Sequence, residues 1–263
     1  MKKSSVYFFL MLICFSVSGI VYPQQYQHTF KRFADDGISV LKAPLDWQKK
    51  DFLRFGLLSA ATYSLMHIDE DIRSFSIENS HYSDSFAATA MKYWGEPVTS
   101  GVLSAILIIQ GFAADNIENR ELGFLVAESY LFTGGVTGAI KYSFGRERPR
   151  LDGSAFSFHP FAFRNDDFLS FPSGHTSTSF ALSTVLASRM NTGFLKALIY
   201  VPAFAAGLSR IYQNQHWLSD VFFGAFLGYY IGSRLVDRNR KSGEQTMQPS
   251  TPPINIVNFK LEF

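Results

Sequence analysis

The sequence predicts an all-α fold, a six-helix bundle with a polar site at one end and a signal-like apolar segment in front. Three observations predict it. Six apolar segments recur, at about 53–68, 98–114, 122–140, 177–190, 194–211 and 217–236. The short links between them carry helix-stop and helix-start residues, as in MNTG at 190–193 and DNIENRE at 115–121. No run alternates apolar and polar residues for long enough to read as a sheet strand. Helices joined by short links pack as antiparallel neighbours in a bundle.

The N-terminus begins MKKSSVYFFLMLICFSVSG. Lys2 and Lys3 form a basic region, Val6 to Val17 an apolar one, and Ser16, Ser18 and Gly19 offer a cleavage site. Residues 1–23 are therefore expected to be a signal peptide or an uncleaved N-terminal anchor. The single cysteine, Cys14, lies inside this segment, so the remainder carries no disulfide or thiolate chemistry. Residues 24–49 are a mixed, polar lead-in, and 50–238 hold the helical domain. Residues 239–263 read as a flexible tail, KSGEQTMQPSTPP followed by the strand-like INIVNFKLEF.

Within the domain, glycines suggest how the helices meet. Gly224, Gly228 and Gly232 repeat at spacing four and leave one face of the last helix open to another backbone, and Gly134 with Gly138 suggests the same in the third. Pro202 is expected to kink the fifth helix. Most segments run 14 to 20 residues, at the lower limit of the ~20 that a bilayer span needs, so they read either as short spans or as buried core helices.

Composition narrows the partners. A net charge of +2 with no Lys/Arg stripe argues against nucleic acid. Hydrophobic residues make up 47% and charged residues 17%, below the roughly 25% usual for soluble domains. The mean hydropathy is nevertheless only +0.04, too low for a uniformly apolar membrane bundle.

Three stretches gather the polar residues that apolar helices ordinarily exclude. KYSFGRERPR holds Lys141 and Arg148, seven apart, before Pro149. FPSGHTSTSF holds Ser173, Gly174 and His175 at a helix start. SRIYQNQHWLSD holds Arg210, His216 and Asp220. Lys141, Arg148 and Arg210 are cations at neutral pH, and guanidinium forks suit phosphate oxygens. A helix start adds free N–H groups that bind anions. His216 and Asp220 are four apart, so on a helix they would share a face. A carboxylate there holds one imidazole nitrogen and leaves the other free to attack. His175, from another segment, could protonate a leaving oxygen. Together they read as phosphoryl transfer through a histidine nucleophile, with each helix mouth contributing one part.

The same residues resemble the signature of the type 2 phosphatidic acid phosphatase (PAP2) superfamily, which includes bacterial acid phosphatases and vanadium haloperoxidases. That signature is K-x6-R-P, P-S-G-H and S-R-x5-H-x3-D. Here it reads Lys141 with Arg148-Pro149, then Pro172-Ser173-Gly174-His175, then Ser209-Arg210 with His216 and Asp220. The resemblance covers roughly residues 50 to 238. It implies an all-helical PAP2-type bundle in which His216 is phosphorylated, Asp220 orients it, and His175 is the acid and then activates water. Lys141, Arg148, Ser173, Gly174 and Arg210 would bind phosphate. No metal and no cofactor is expected. The implied substrate is a lipid phosphate or a small phosphate ester. The alternatives are a soluble periplasmic acid phosphatase of broad range and, at greater distance, a haloperoxidase. The oligomeric state is unspecified.

Other polar residues are weaker candidates. Glu128 is a functional candidate if its segment spans a membrane, and a surface residue if the bundle is soluble. Arg146, Arg150, His159 and Arg164 flank or lie in the Phe-rich loop 142–171, which either packs on the bundle or contacts acyl chains. Basic residues before the first helix (Lys49, Lys50, Arg54) and after the last (Arg234, Arg238, Arg240, Lys241) place those ends in the cytoplasm. An export signal followed by six full spans would put the site loops inside as well, which conflicts. The expected location is the cell envelope, membrane-associated or periplasmic, with the site facing the periplasm.

Overall fold

A computed structural model describes residues 30–79, 93–162 and 165–246. The expected signal or anchor, the first residues of the lead-in, Phe163, Arg164 and the strand-like tail lie outside the described residues. The described chain is helical, with one isolated antiparallel bridge between Arg146 and Phe158 as its only extended pairing. Its α-helices are α1 (Phe30–Lys42), α2 (Lys49–Met66), α3 (Asp69–Glu78), α4 (Pro97–Ala113), α5 (Ile117–Phe144), α6 (Gly174–Ala187), α7 (Gly193–Leu198), α8 (Val201–Tyr212) and α9 (Leu218–Thr246).

All six expected apolar segments are helical, and the all-α reading holds. Two helices lie outside them. The polar lead-in forms α1, whose Gly37 has no room for a Cβ because the Phe132 ring of α5 stands 2.9 Å away. The short α3 follows α2 after a two-residue turn. Pro202 does more than kink the fifth segment. Lacking an N–H, it fits only the first turn of a helix, so the segment divides into α7 and α8 around Ile199 and Tyr200.

Helix ends follow local chemistry. Pro97 occupies the first turn of α4 after Glu96 in extended conformation. The Asn116 side chain accepts from the Asn119 N–H at 3.0 Å and caps α5. Gly145 ends α5 in the left-handed region at φ 59°. Any Cβ there would stand 1.7 Å from the His159 carbonyl oxygen, so only glycine fits.

The central helix α6 is buried along nearly its whole length between α5, α8 and α9, although it is rich in Ser and Thr. Most of its hydroxyls are satisfied internally or by neighbours, whereas the buried Ser179 Oγ has no hydrogen-bond partner among the described residues. Thr184 donates to the Phe180 carbonyl at 2.7 Å, and Ser177 bonds Thr137 of α5 at 2.9 Å. The glycine stripe of α9 lies on this helix. A Cβ at Gly228 would stand 2.0 Å from the Ser177 carbonyl oxygen, and one at Gly224 2.7 Å from that of Ser173. Gly134 and Gly138 face open space instead, so the expected second glycine contact does not form among the described residues. The core is completed by Leu107, Leu122, Val126, Leu182, Leu186, Ile231 and Leu235. Each such side chain contributes roughly 1.5–3 kcal/mol of hydrophobic stabilisation.

Candidate phosphate-binding site

The C-terminal end of α5, the start of α6, the end of α8 and the start of α9 converge at one end of the bundle. Lys141 sits in the last turn of α5 and donates to the Leu169 carbonyl and, at 3.3 Å, to that of Ser170. Gly174 opens α6 close by, where a Cβ would lie 3.6 Å from the Lys141 Cε. Ser173 precedes it as N-cap and donates its N–H to the Asp220 carbonyl at 3.0 Å. Burial, and then the Arg148 charge, lower the Lys141 ammonium to about 7.

His216 is buried and lies two residues before α9, while Asp220 is in the first turn of that helix. The expected sharing of one helix face is therefore replaced by a pairing across the helix start. The Asp220 carboxylate accepts from the Trp217 N–H at 2.9 Å, which fixes the chain as it enters α9. From there it faces His216 Nδ1 at 3.6 Å, a charge contact longer than a hydrogen bond. The other ring nitrogen, Nε2, faces Arg148 Nη1 at 3.4 Å. Burial holds the imidazole well below its ordinary pKa, despite Asp220. Burial alone would raise Asp220, but Arg146 and His216 outweigh it and its carboxyl lies below the usual range.

Arg148 is held on two sides. Its Nε and Nη2 donate to the Asp166 carbonyl and carboxylate at 2.9 and 2.8 Å, and its Nη1 to the Gln215 carbonyl at 3.1 Å. Arg150 joins this cluster through Gln215, Asp166 and Asp167. Arg210, in the last turn of α8, bonds only the Gln213 amide oxygen at 2.7 Å, and its buried Nε has no hydrogen-bond partner. Neither Lys141 nor Arg210 pairs with a carboxylate within 4.0 Å among the described residues, whose ion pairs are elsewhere. Two partly buried cations with no carboxylate within 4.0 Å, beside a buried histidine, have the chemistry to seat an anion. His175, one residue into α6, faces the Glu96 carboxylate at 3.2 Å.

Sequence reasoning singled out these eight residues, and the structure gathers them at one end. It also adds four that the motifs did not mark as site residues. Arg146, expected only as a loop flank, is fully buried and bridges Asp69 at 2.8 Å and Asp220 at 2.6 Å. Asp69 in turn accepts from the Ser219 N–H at 2.9 Å and from its hydroxyl. Asp166 braces Arg148, and Glu96 meets His175. His159 stays at the periphery, beside Ser157 and Phe168. Glu128 is buried some 20 Å along α5 from Lys141, as 13 residues at 1.5 Å imply, which corrects the reading of it as a surface residue. The Phe-rich loop divides: Phe171 is buried against Phe144 and Phe223, Phe158 lies over Arg146, and Phe161 is 64% exposed.

Comparison with known proteins gives the same direction. Residues 122–242 match the family model described as the PAP2 superfamily. A lipid A 1-phosphatase from Porphyromonas gingivalis is 41% identical over 134 residues, covering 49% of this chain and 27% of that protein. Lipid phosphate phosphatase 1 from Arabidopsis thaliana is 29% identical over 180 residues, covering 56% of this chain and 54% of that one. The chain thus spans about a quarter to a half of the length of these relatives. Among solved structures, LpxE from Aquifex aeolicus aligns at 26% identity and a TM-score of 0.42, over 57% of this chain and 83% of its own.

Proposed function

With residues 122–242 in the PAP2 superfamily, we propose that the chain is a membrane-associated phosphatase that hydrolyses phosphomonoesters or pyrophosphates of lipids through a phosphohistidine on His216. One observation carries this reading: buried His216 turns Nε2 to 3.4 Å from the Arg148 guanidinium, in a mouth where, among the described residues, Lys141 and Arg210 pair with no carboxylate within 4.0 Å.

In the first step His216 Nε2 attacks phosphorus and the bond to the leaving oxygen breaks. Asp220 beside Nδ1 stabilises the positive charge that the ring acquires. Lys141, Arg148 and Arg210, with the free N–H groups at the start of α6, hold the phosphoryl oxygens. His175 gives its proton to the leaving oxygen. In the second step His175 takes a proton from water, the water oxygen attacks phosphorus, and the N–P bond breaks to release phosphate and restore the ring.

The lipid assignment is supported by the relatives, two of which are described as lipid phosphatases, and by the outer surface. Leu53 and Leu57 of α2, Ile109 and Phe112 of α4, and Phe204 and Leu208 of α8 are exposed apolar side chains, more than water favours on one molecule. Among the described residues one helical stretch, 193–212, is long and apolar enough to cross a membrane. This surface favours the lipid reading over a soluble acid phosphatase. We place the site on the periplasmic side, because Arg234, Arg238 and Arg240 lie well along α9 from Asp220 and basic ends favour the cytoplasm.

The test is phosphate release by the purified full chain from a lipid phosphate in detergent micelles and from a soluble aryl phosphate. Quenching the reaction in alkaline denaturant, which spares the acid-labile N–P bond, should trap label on His216. Preference for the lipid supports the proposal, and equal rates favour the soluble-ester reading. Bromide oxidation with added vanadate, without phosphate release, would move the chain to the haloperoxidases.

A further inference from the structure

We propose that Glu96 is a positioning residue for His175, one that keeps the imidazole protonated at the moment when a proton must pass to the leaving oxygen. The inference rests on the phosphatase reading above and adds to it a residue outside the three motifs and outside the family-matching stretch.

The Glu96 Oε1 lies 3.2 Å from His175 Nε2. A partly exposed pair like this could be incidental if its backbone were free to move. Here it is not. The preceding turn, Tyr93–Gly95, is fastened to α6 at three points. Trp94 donates its indole N–H to Ser183 at 2.9 Å, and Thr178 donates to the Gly95 carbonyl at 2.8 Å. Gly95 packs so tightly that a Cβ would stand 2.3 Å from the His175 carbonyl oxygen. On the other side, Pro97 fixes the start of α4, and Thr99 donates its N–H to the Glu96 carbonyl at 3.1 Å. The carboxylate is thus delivered to the imidazole by backbone held on both sides.

His175 needs such a partner because its other neighbours oppose its task. An acid must carry a proton, yet burial lowers the pKa of this ring, and so do Arg210 from α8 and Lys141 from α5. Glu96 is the carboxylate that acts the other way. Accepting from Nε2, it leaves Nδ1 as the nitrogen that exchanges a proton with substrate. The site then contains two imidazole–carboxylate pairs with separate duties: His216 with Asp220 for attack, and His175 with Glu96 for departure.

The experiment compares wild type with Glu96→Gln on a series of phosphate monoesters whose leaving groups run from nitrophenol to a simple alcohol. A nitrophenolate departs without help, whereas an alkoxide needs its proton. General acids contribute about 10²–10⁴-fold, so weakening one should lower alkyl phosphate turnover by on the order of ten- to a hundredfold, with the nitrophenyl ester within about threefold of wild type. The basic limb of kcat should also move to lower pH, because removing the carboxylate lowers the pKa of the His175 acid. Uniform loss over the whole series, with a lowered Tm, would mean that Glu96 only holds the fold, and an unchanged alkyl ester rate would mean that it does nothing for His175. Either outcome overturns the proposal while the wild type still defines a phosphatase. A wild type that releases phosphate from no ester overturns this proposal and the phosphatase reading together.

Discussion

The two ends of the bundle both bury charge, and they treat it differently. At the far end, α1 is tied to the bundle by pairs. Asp36 accepts from Arg238 at 2.6 Å and lies 3.4 Å from Arg32. Arg234 reaches Ser39 and Asp46, and Arg189 lies 4.0 Å from Glu121. There a carboxylate meets each of these arginines and the charges serve as glue. At the site end, Arg146 is glue of the same kind, but Lys141 and Arg210 end on amide or carbonyl oxygens. On the proposed reading, the phosphate of the substrate supplies the negative charge that one more acid could have given these cations. The position of the missing counter-charge is more informative about function than the charges themselves.

Substitutions can break that contrast. The largest effect is expected at His216. His216→Ala should lower turnover by at least about a thousandfold, since removal of an attacking group commonly raises the barrier by several kcal/mol. Single-turnover release within tenfold of wild type would sink the nucleophile assignment. Next, Arg210→Met and Lys141→Met should each lower kcat/KM by about a hundredfold and weaken vanadate inhibition in parallel. Their Tm should hold or rise, because a partly buried cation with no paired carboxylate is removed. Asp36→Asn at the other end should do the reverse. It should cost on the order of 1–3 kcal/mol of stability, less than a fully buried pair because Arg238 is partly exposed, with kcat/KM unchanged. If the two classes of substitution behave alike, the distinction between the ends is wrong.

Two smaller effects sharpen it. The His216 pKa is lowered by burial, so the neutral, attacking ring persists as pH falls. The acid limb of kcat/KM should therefore lie below the ordinary histidine range, and a limb near pH 6.5 would show that this ring is not the base so shifted. Smallest is Phe161→Ser. Its ring is largely exposed, so its loss should weaken action on a lipid phosphate by no more than about tenfold and leave a soluble ester untouched. Equal loss on both substrates would make the ring structural.

Much of this was legible in the sequence, because helix periodicity and motif spacing are local. The six apolar segments, the close α6–α9 contact at Gly224, Gly228 and Gly232, and the grouping of the polar motifs all follow from short-range pattern. What escaped is long-range or lies at helix boundaries. A four-residue spacing cannot tell a helix face from a helix start, and His216 lies two residues before the helix that begins at Leu218. Gly134 and Gly138 have the right spacing but no neighbour to receive it. Asp69 and Glu96 look like ordinary acids at helix starts, in HIDEDIR and WGEPV, and nothing local connects Asp69 with Ser219, 150 residues on, or Glu96 with His175, 79 residues on.

Arg146 also has a consequence for how the chain assembles. Its guanidinium has no exposed surface, and its carboxylate partners lie 77 residues before it and 74 after it. A buried charge is tolerable only when its partners have arrived, so the centre of the site cannot close until α3 and α9 have both docked. A fragment limited to residues 122–242 would carry every signature residue and still lack Asp69. During synthesis the pocket would stay open until the last helix emerges, and its final step would be the capture of Arg146 between two helices from opposite ends of the domain.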